Sequence, residues 1–288
     1  MKIKRPKKST KNMRAQMVFP FVARSFLTSV VLFLFFGLSS CKPAAERLYA
    51  DANAEIKKGH YRIALDLLER SSEIAKDSNI KYRYLSEAGR LARFEIQDYE
   101  RAIRIYRRII LQSEDVEQRL RAQEAISEIY LENLQNYNMA LKELQILEPL
   151  LHDNEKKEKV KLRIAQTLYL TGNFQQAMEE IKVSLKFSEK EKLNFLKIKA
   201  QVLVAQKKYK EALAEYEKIL QADEKFFATE NLFIAASVVY EENEEYAEAL
   251  AYLDKYQEQI PDKAYLELRY KRLQERMVNK PLFKGRRK

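Results

Sequence analysis

The 288 residues carry 53 Lys and Arg against 42 Asp and Glu, a formal charge of +11, with five Gly and six Pro. The excess sits at the ends: the first 40 residues hold eight cations and no acid, Lys280 to Lys288 hold five more, and between these segments acids outnumber bases by two. A body with that balance offers no broad cationic face to a nucleic-acid backbone. One cysteine excludes a disulfide framework or thiolate zinc cluster, and two histidines, His60 and His152, argue against a histidine metal site.

Residues 25–41 are uncharged apart from their flanks, and Phe26 to Leu38 form an apolar run behind a cationic stretch. At about 1.5 Å per residue the run reaches about 20 Å, short of the roughly 30 Å of a bilayer core, so it is expected to be the apolar segment of an export leader. The sequence Leu38-Ser39-Ser40-Cys41 that follows, an aliphatic residue, two small ones and the only cysteine, resembles the lipobox of bacterial lipoproteins. That resemblance implies that residues 1–40 are removed as a signal peptide, that Cys41 becomes the first mature residue carrying diacylglycerol and acyl chains, and that 41–43 form a short tether. Lys42 rather than Asp after the cysteine implies a periplasm-facing protein on the outer rather than the inner membrane. Met13 and Met17 stand as alternative starts to Met1, and the absence of an Arg-Arg pair from the first 40 residues favours the general export route over the twin-arginine route.

Beyond Ala44 one pattern recurs six times, an aromatic residue followed three positions later by alanine and then an aliphatic residue: Tyr61/Ala64/Leu65, Tyr99/Ala102/Ile103, Tyr137/Ala140/Leu141, Phe174/Ala177/Met178, Tyr209/Ala212/Leu213 and Tyr246/Ala249/Leu250. The aromatic-to-aromatic steps are 38, 38, 37, 35 and 37 residues. Seven residues after each aromatic lies a second large residue, Leu68, Tyr106, Leu144, Ile181, Tyr216 or Leu253, two turns along the same helix face. A further amphipathic stretch precedes each aromatic, over 44–58, 80–96, 115–133, 156–170, 190–206 and 227–241. Polar turns such as Lys58-Gly59-His60 and Thr171-Gly172-Asn173 separate the two, and Pro149 is the single proline between Ala44 and Ile260. Each unit is therefore predicted to be a helical hairpin, helix A then helix B. Residues 262–278, with Leu266, Leu268, Tyr270 and Leu273, read as a capping helix, and 279–288 as a disordered basic tail.

These residues resemble the tetratricopeptide repeat, whose unit has a small residue in helix A and an aromatic then Ala opening helix B. The resemblance implies an all-α, right-handed superhelical solenoid of about six hairpins over 44–261. The small residue of helix A falls nine before the aromatic at Ala52, Ala165, Ala200 and Ser237. In the second and third units Gly89 and Ser127 fall ten before, which predicts one extra residue in those A-to-B turns.

No phosphate loop, metal spacing or nucleophile–histidine pattern appears, so the chain is expected to be neither an enzyme nor a binder of cofactors, metals, small-molecule substrates or nucleic acid. His60 and His152 are expected to be solvated, and the acid pairs Glu179-Glu180 and Glu241-Glu242 to be exposed helix charges. The repeat resemblance implies instead a concave groove for a peptide or protein segment, lined by Lys159, Leu162, Gln166 and Tyr169, then Asn194, Lys197 and Gln201, then Asn231, Ile234 and Val238. On a lipid anchor such an array is similar in plan to the pilotin lipoproteins of type IV pilus secretins and to the repeat lipoprotein of the β-barrel assembly complex. The function expected is an adaptor or assembly factor of the bacterial envelope. A regulator docking peptidoglycan hydrolases or proteases is the alternative, and a cryptic hydrolase the remotest reading. The lipobox is directly testable: the wild-type chain incorporates labelled palmitate, whereas Cys41→Ser takes up none and keeps its leader on an immunoblot; label on the Ser variant contradicts the assignment.

Overall fold

The computed structural model describes residues 43–260 and 262–279; the predicted leader, Cys41 and the tail from residue 280 lie outside them. Six hairpins follow one another: α1 (Ala44–Lys57) with α2 (Tyr61–Ile74), α3 (Ser78–Arg90) with α4 (Tyr99–Gln112), α5 (Val116–Glu128) with α6 (Tyr137–Leu147), α7 (Asn154–Leu170) with α8 (Phe174–Ser184), α9 (Lys192–Ala205) with α10 (Tyr209–Ala222), and α11 (Glu224–Thr229) plus α12 (Leu232–Glu242) with α13 (Tyr246–Tyr256). A last helix, α14 (Lys263–Val278), packs on α13. Each helix contacts chiefly its chain neighbours, the one-dimensional pattern of an all-α solenoid.

Every helix B begins at the recurrent aromatic, and the reason lies three residues on. Ala64, Ala102, Ala140, Ala177, Ala212 and Ala249 are all fully buried, as are the small helix A residues Ala52, Gly89, Ser127, Ala165, Ala200 and Ser237. Small side chains at both buried positions let the two helix axes approach to about 8–10 Å. The large residue seven after the aromatic then fills the space above, with Leu68, Leu144 and Leu253 at 0% exposure. Burial pushes the Tyr216 hydroxyl up to about 12, and most of the opening aromatics themselves stay half-buried. Cores of adjacent hairpins merge along the array, so a hairpin alone would leave one apolar side wet.

The turns share one geometry. Two residues before each aromatic the backbone turns left-handed, at Gly59 (φ 78°), Gln97 (59°), Gln135 (49°), Gly172 (75°), Lys207 (59°) and Glu244 (64°). The residue after it donates its backbone N–H to helix A, as His60 does to the Glu55 carbonyl and Lys208 to that of Leu203. In the second and third hairpins this bond spans one residue more, Asp98 to Ala92 and Asn136 to Tyr130. The extra residue expected in those turns therefore sits inside helix A: Leu91–Ile96 and Ile129–Asn133 are π-helical. A π-turn absorbs one insertion without changing the turn or the register of the small residue.

Two further features depart from expectation. The sixth helix A breaks at Glu230-Asn231, with Asn231 at φ 53°, a left-handed conformation asparagine tolerates. Helix starts are marked by carboxylates: Asp77, Asp115 and Asp153, 38 residues apart, each accept backbone N–H bonds from the first turn of α3, α5 and α7, as Asp223 and Asp262 do for α11 and α14.

Gly89 tests the small-residue rule. A Cβ there would lie 2.7 Å from Tyr106 Cζ. Gly89→Ala should lower stability in urea unfolding by about 1–3 kcal/mol in spite of alanine's better helix propensity, and adding Tyr106→Leu to the Gly89→Ala variant should recover part of the loss; a stabilised Gly89→Ala protein would contradict this packing.

Candidate functional site

Counting from the small residue of each helix A gives equivalent positions along the array. One place after it stand Arg90, Glu128, Gln166, Gln201 and Val238; four places after it stand Arg93, Leu131, Tyr169, Val204 and Glu241. These positions run along one side of successive A helices, and three zones differ in what they offer a ligand.

In repeats 2 to 4 the side is closed by its own charges. Arg93, 5% exposed, donates from Nη1 to Glu128 (2.8 Å), from Nη2 to Glu132 (2.9 Å) and from Nε to Asn133 (2.8 Å). Glu128 also accepts from Arg163 at 3.1 Å, and Arg163 lies 3.7 Å from Glu124. Arg93, Glu128 and Arg163 follow at 35-residue intervals, three short of the 38-residue step from Gly89 to Ser127 to Ala165, so they form a diagonal row across successive A helices along which the sign alternates. A satisfied lattice of this kind costs a ligand its own ion pairs to displace.

Repeats 4 to 6 hold the ten residues expected to line the groove, and they divide in two. Lys159 pairs with Glu155 at 2.9 Å, and the same carboxylate binds Lys190; hydrogen bonds from Lys190 and Lys159 hold Glu155 down at about 2. Asn194 donates to Glu191 at 2.8 Å, Lys197 reaches Glu230 of the next repeat at 2.9 Å and lies over the Phe226 ring, and Asn231 serves the helix break. The side chains of Leu162, Gln166, Tyr169, Gln201, Ile234 and Val238 make no hydrogen bond or ion pair among the described residues and stand half-buried or exposed on three consecutive A helices, with the Tyr169 ring 6.2 Å from that of Phe174. Amides that can bond a peptide backbone thus alternate with apolar contacts.

The C-terminal zone corrects an expectation. Glu242 is exposed as expected, but Glu241 is 2% exposed and is bonded by three arginines of α14: Arg269 (2.5 Å), Arg272 (2.8 Å) and Arg276 (2.9 Å). It is the clamp that seats the capping helix. The other pair is half-buried at Glu180, which bonds Lys161 at 3.1 Å, while Glu179 is exposed. Glu215 shows the same device in helix B. Burial pushes its carboxyl up, but hydrogen bonds from Lys218 and Lys199 outweigh that and leave it below the ordinary range. His60, bonded to Glu55 at 2.7 Å, and His152 are exposed. No group of three or more His, Cys, Asp or Glu among the described residues is placed to hold a metal ion, and no described helix is long and apolar enough to cross a membrane.

Comparison with known proteins agrees with this geometry. Residues 133–219 match the family model of the anaphase-promoting complex, cyclosome, subunit 3. The chain is similar to the C-terminal part of a TPR repeat-containing protein from Cytophaga hutchinsonii, with 16% identity and a TM-score of 0.60 over 87% of this chain and 96% of that one. The chain folds as a tetratricopeptide-repeat array. This repeat array is also similar to BtubC (BKLC) from P. vanneervenii, with 14% identity and a TM-score of 0.51 over 76% of this chain and 91% of that one. No curated protein matches the sequence significantly.

The residues that sequence reasoning missed, Arg93, Glu128, Arg163 and Glu241, are charged groups inside an array whose pattern search followed apolar residues; the 35-residue alternation of sign was the available signal. Glu241→Ala leaves Arg269 buried without its carboxylate and should cost about 3–5 kcal/mol in urea unfolding, whereas Glu241→Leu combined with Arg269→Met should restore most of it; an unchanged single variant would show that the cap does not depend on the clamp.

Proposed function

We propose that this repeat array is a lipid-tethered docking scaffold of the bacterial cell envelope, which holds an extended segment of a partner protein along the A helices of repeats 4 to 6. The tetratricopeptide fold supports the general reading of a protein-interaction scaffold. The observation that carries the location is the contrast between zones: charges in repeats 2 to 4 are spent on one another, whereas the side chains of Gln166, Tyr169, Gln201, Ile234 and Val238 on the A helices of repeats 4 to 6 have no hydrogen-bond or ion-pair partner among the described residues. The periplasmic, outer-membrane address is supported by the lipobox residues Leu38 to Cys41 and by Lys42.

A partner suited to this surface presents an extended backbone to the two amides and apolar side chains to Tyr169, Ile234 and Val238, with polar contacts weighted toward the rim. Binding by such a shallow, preformed face needs little rearrangement of the array. A quadruple variant, Gln166→Ala, Tyr169→Ala, Gln201→Ala and Val238→Ala, should keep the helical circular dichroism signal and lose the partner that wild type co-purifies from detergent extracts. Retention of every wild-type partner by the folded variant would remove the groove from the proposal.

A further inference from the structure

The two ends of the array are finished differently. At the C-terminal end α14 covers the last hairpin with Leu266, Arg269 and Leu273 and turns Lys271, Gln274 and Glu275 to solvent. At the N-terminal end the repeat equivalence shows what is left open. In α4 the residues two and nine after the opening aromatic, Arg101 and Arg108, reach back to the preceding hairpin: Arg101 bonds Asp66 (2.5 Å) and Glu69 (3.1 Å), and Arg108 lies 3.4 Å from Ser72 Oγ and 3.8 Å from Glu73. Their counterparts in α2 are Ile63 and Arg70. No described hairpin precedes α2, so these side chains point off the end of the array. With Leu67 and Ile74 they form a stripe at helical spacing on which Ile63 is 53% and Ile74 46% exposed.

We propose that this end face lies on a phospholipid surface of anionic character. The inference rests on the lipid anchor at Cys41 proposed above. Cys41 lies three residues before Ala44, where α1 begins, and three extended residues span about 10 Å. A chain anchored there holds the first hairpin against the bilayer with no room for a linker. The charges suit that neighbour. Asp66, Glu69 and Glu73 are engaged by the arginines of repeat 2, and Glu55 by Lys58 and His60. Arg47, Lys57, Arg62 and Arg70 of the first hairpin have no acid partner among the described residues, against Glu46 and Asp51 on the acid side. Isoleucines beside the unpaired Arg70 are what an interfacial contact requires, the apolar groups entering the headgroup boundary and the cation facing lipid phosphates; Arg62 lies on the other side of α2, in a pocket with Asp66, Asp98 and Arg101. The array then stands off the membrane end-on, first hairpin down, with repeats 4 to 6 displaced from the surface.

The chain has no tryptophan, so single substitutions report one site each. The full-length gene product carrying Ile63→Trp, Ile74→Trp or, as a control on the capping helix, Leu268→Trp is purified from membranes. It is then reconstituted in phosphatidylethanolamine–phosphatidylglycerol vesicles with brominated acyl chains. The first two emissions are expected to shift to the blue and lose intensity to bromine quenching, and the Leu268→Trp emission to do neither. If the protein floats with the vesicles and all three emissions are unquenched, the end face does not touch lipid and this inference falls while the anchor stands. A blue shift at Ile63→Trp without quenching places a second copy of the chain on the stripe and also overturns it. A protein that does not float with vesicles overturns the anchor together with the face.

Discussion

The structure depends on the small residues buried in every hairpin, an alanine near the start of helix B and a small residue in helix A. Both positions are fully buried in all six hairpins, and any larger side chain would drive the axes apart. Close approach fixes the angle within the hairpin, and that angle exposes an apolar side that only the next hairpin covers. The consequence is an extended molecule whose stability accumulates from neighbour to neighbour. It also lines up equivalent side chains, because the same position recurs about every 37 residues on the same face.

That alignment explains why one scaffold carries surfaces of different character. Where a diagonal row of A-helix residues alternates in sign, as at Arg93, Glu128 and Arg163, the face neutralises itself. Where they alternate between amide and apolar groups, as from Gln166 to Val238, the face stays available. Where the array ends, Glu241 on the last helix A meets the three arginines of α14, and Ile63 and Arg70 on the first helix B meet no preceding hairpin among the described residues.

Much of the fold was legible because packing imposes a period on apolar residues. The aromatic, the alanine and the large residue seven places on marked the start of every helix B, and the amphipathic stretches before them located the A helices. What escaped were features with no apolar signature. The one-residue excess before Tyr99 and Tyr137 was visible as a count, but a count does not say whether a turn lengthens or a helix bulges; hydrogen bonding inside the helix favoured the bulge. The break at Asn231 lacks a glycine or proline to announce it. Glu241 looked like a surface acid because its partners lie 28 to 35 residues further along, on a helix recognised by its apolar residues and not by its arginines. The ten groove positions all fall within the A segments, Asn231 at the break in the last of them, but which were already engaged, as Lys159, Asn194 and Lys197 are, depended on neighbours in three dimensions.

The account stands on an open docking face in repeats 4 to 6, and photo-crosslinking in living cells tests it most directly. A benzophenone amino acid placed at Tyr169 or Val238 should yield a discrete adduct of higher mass, whereas the same probe at Phe187, 77% exposed and away from the groove positions, should yield none. Adducts formed at Phe187 but absent from both groove positions would contradict it.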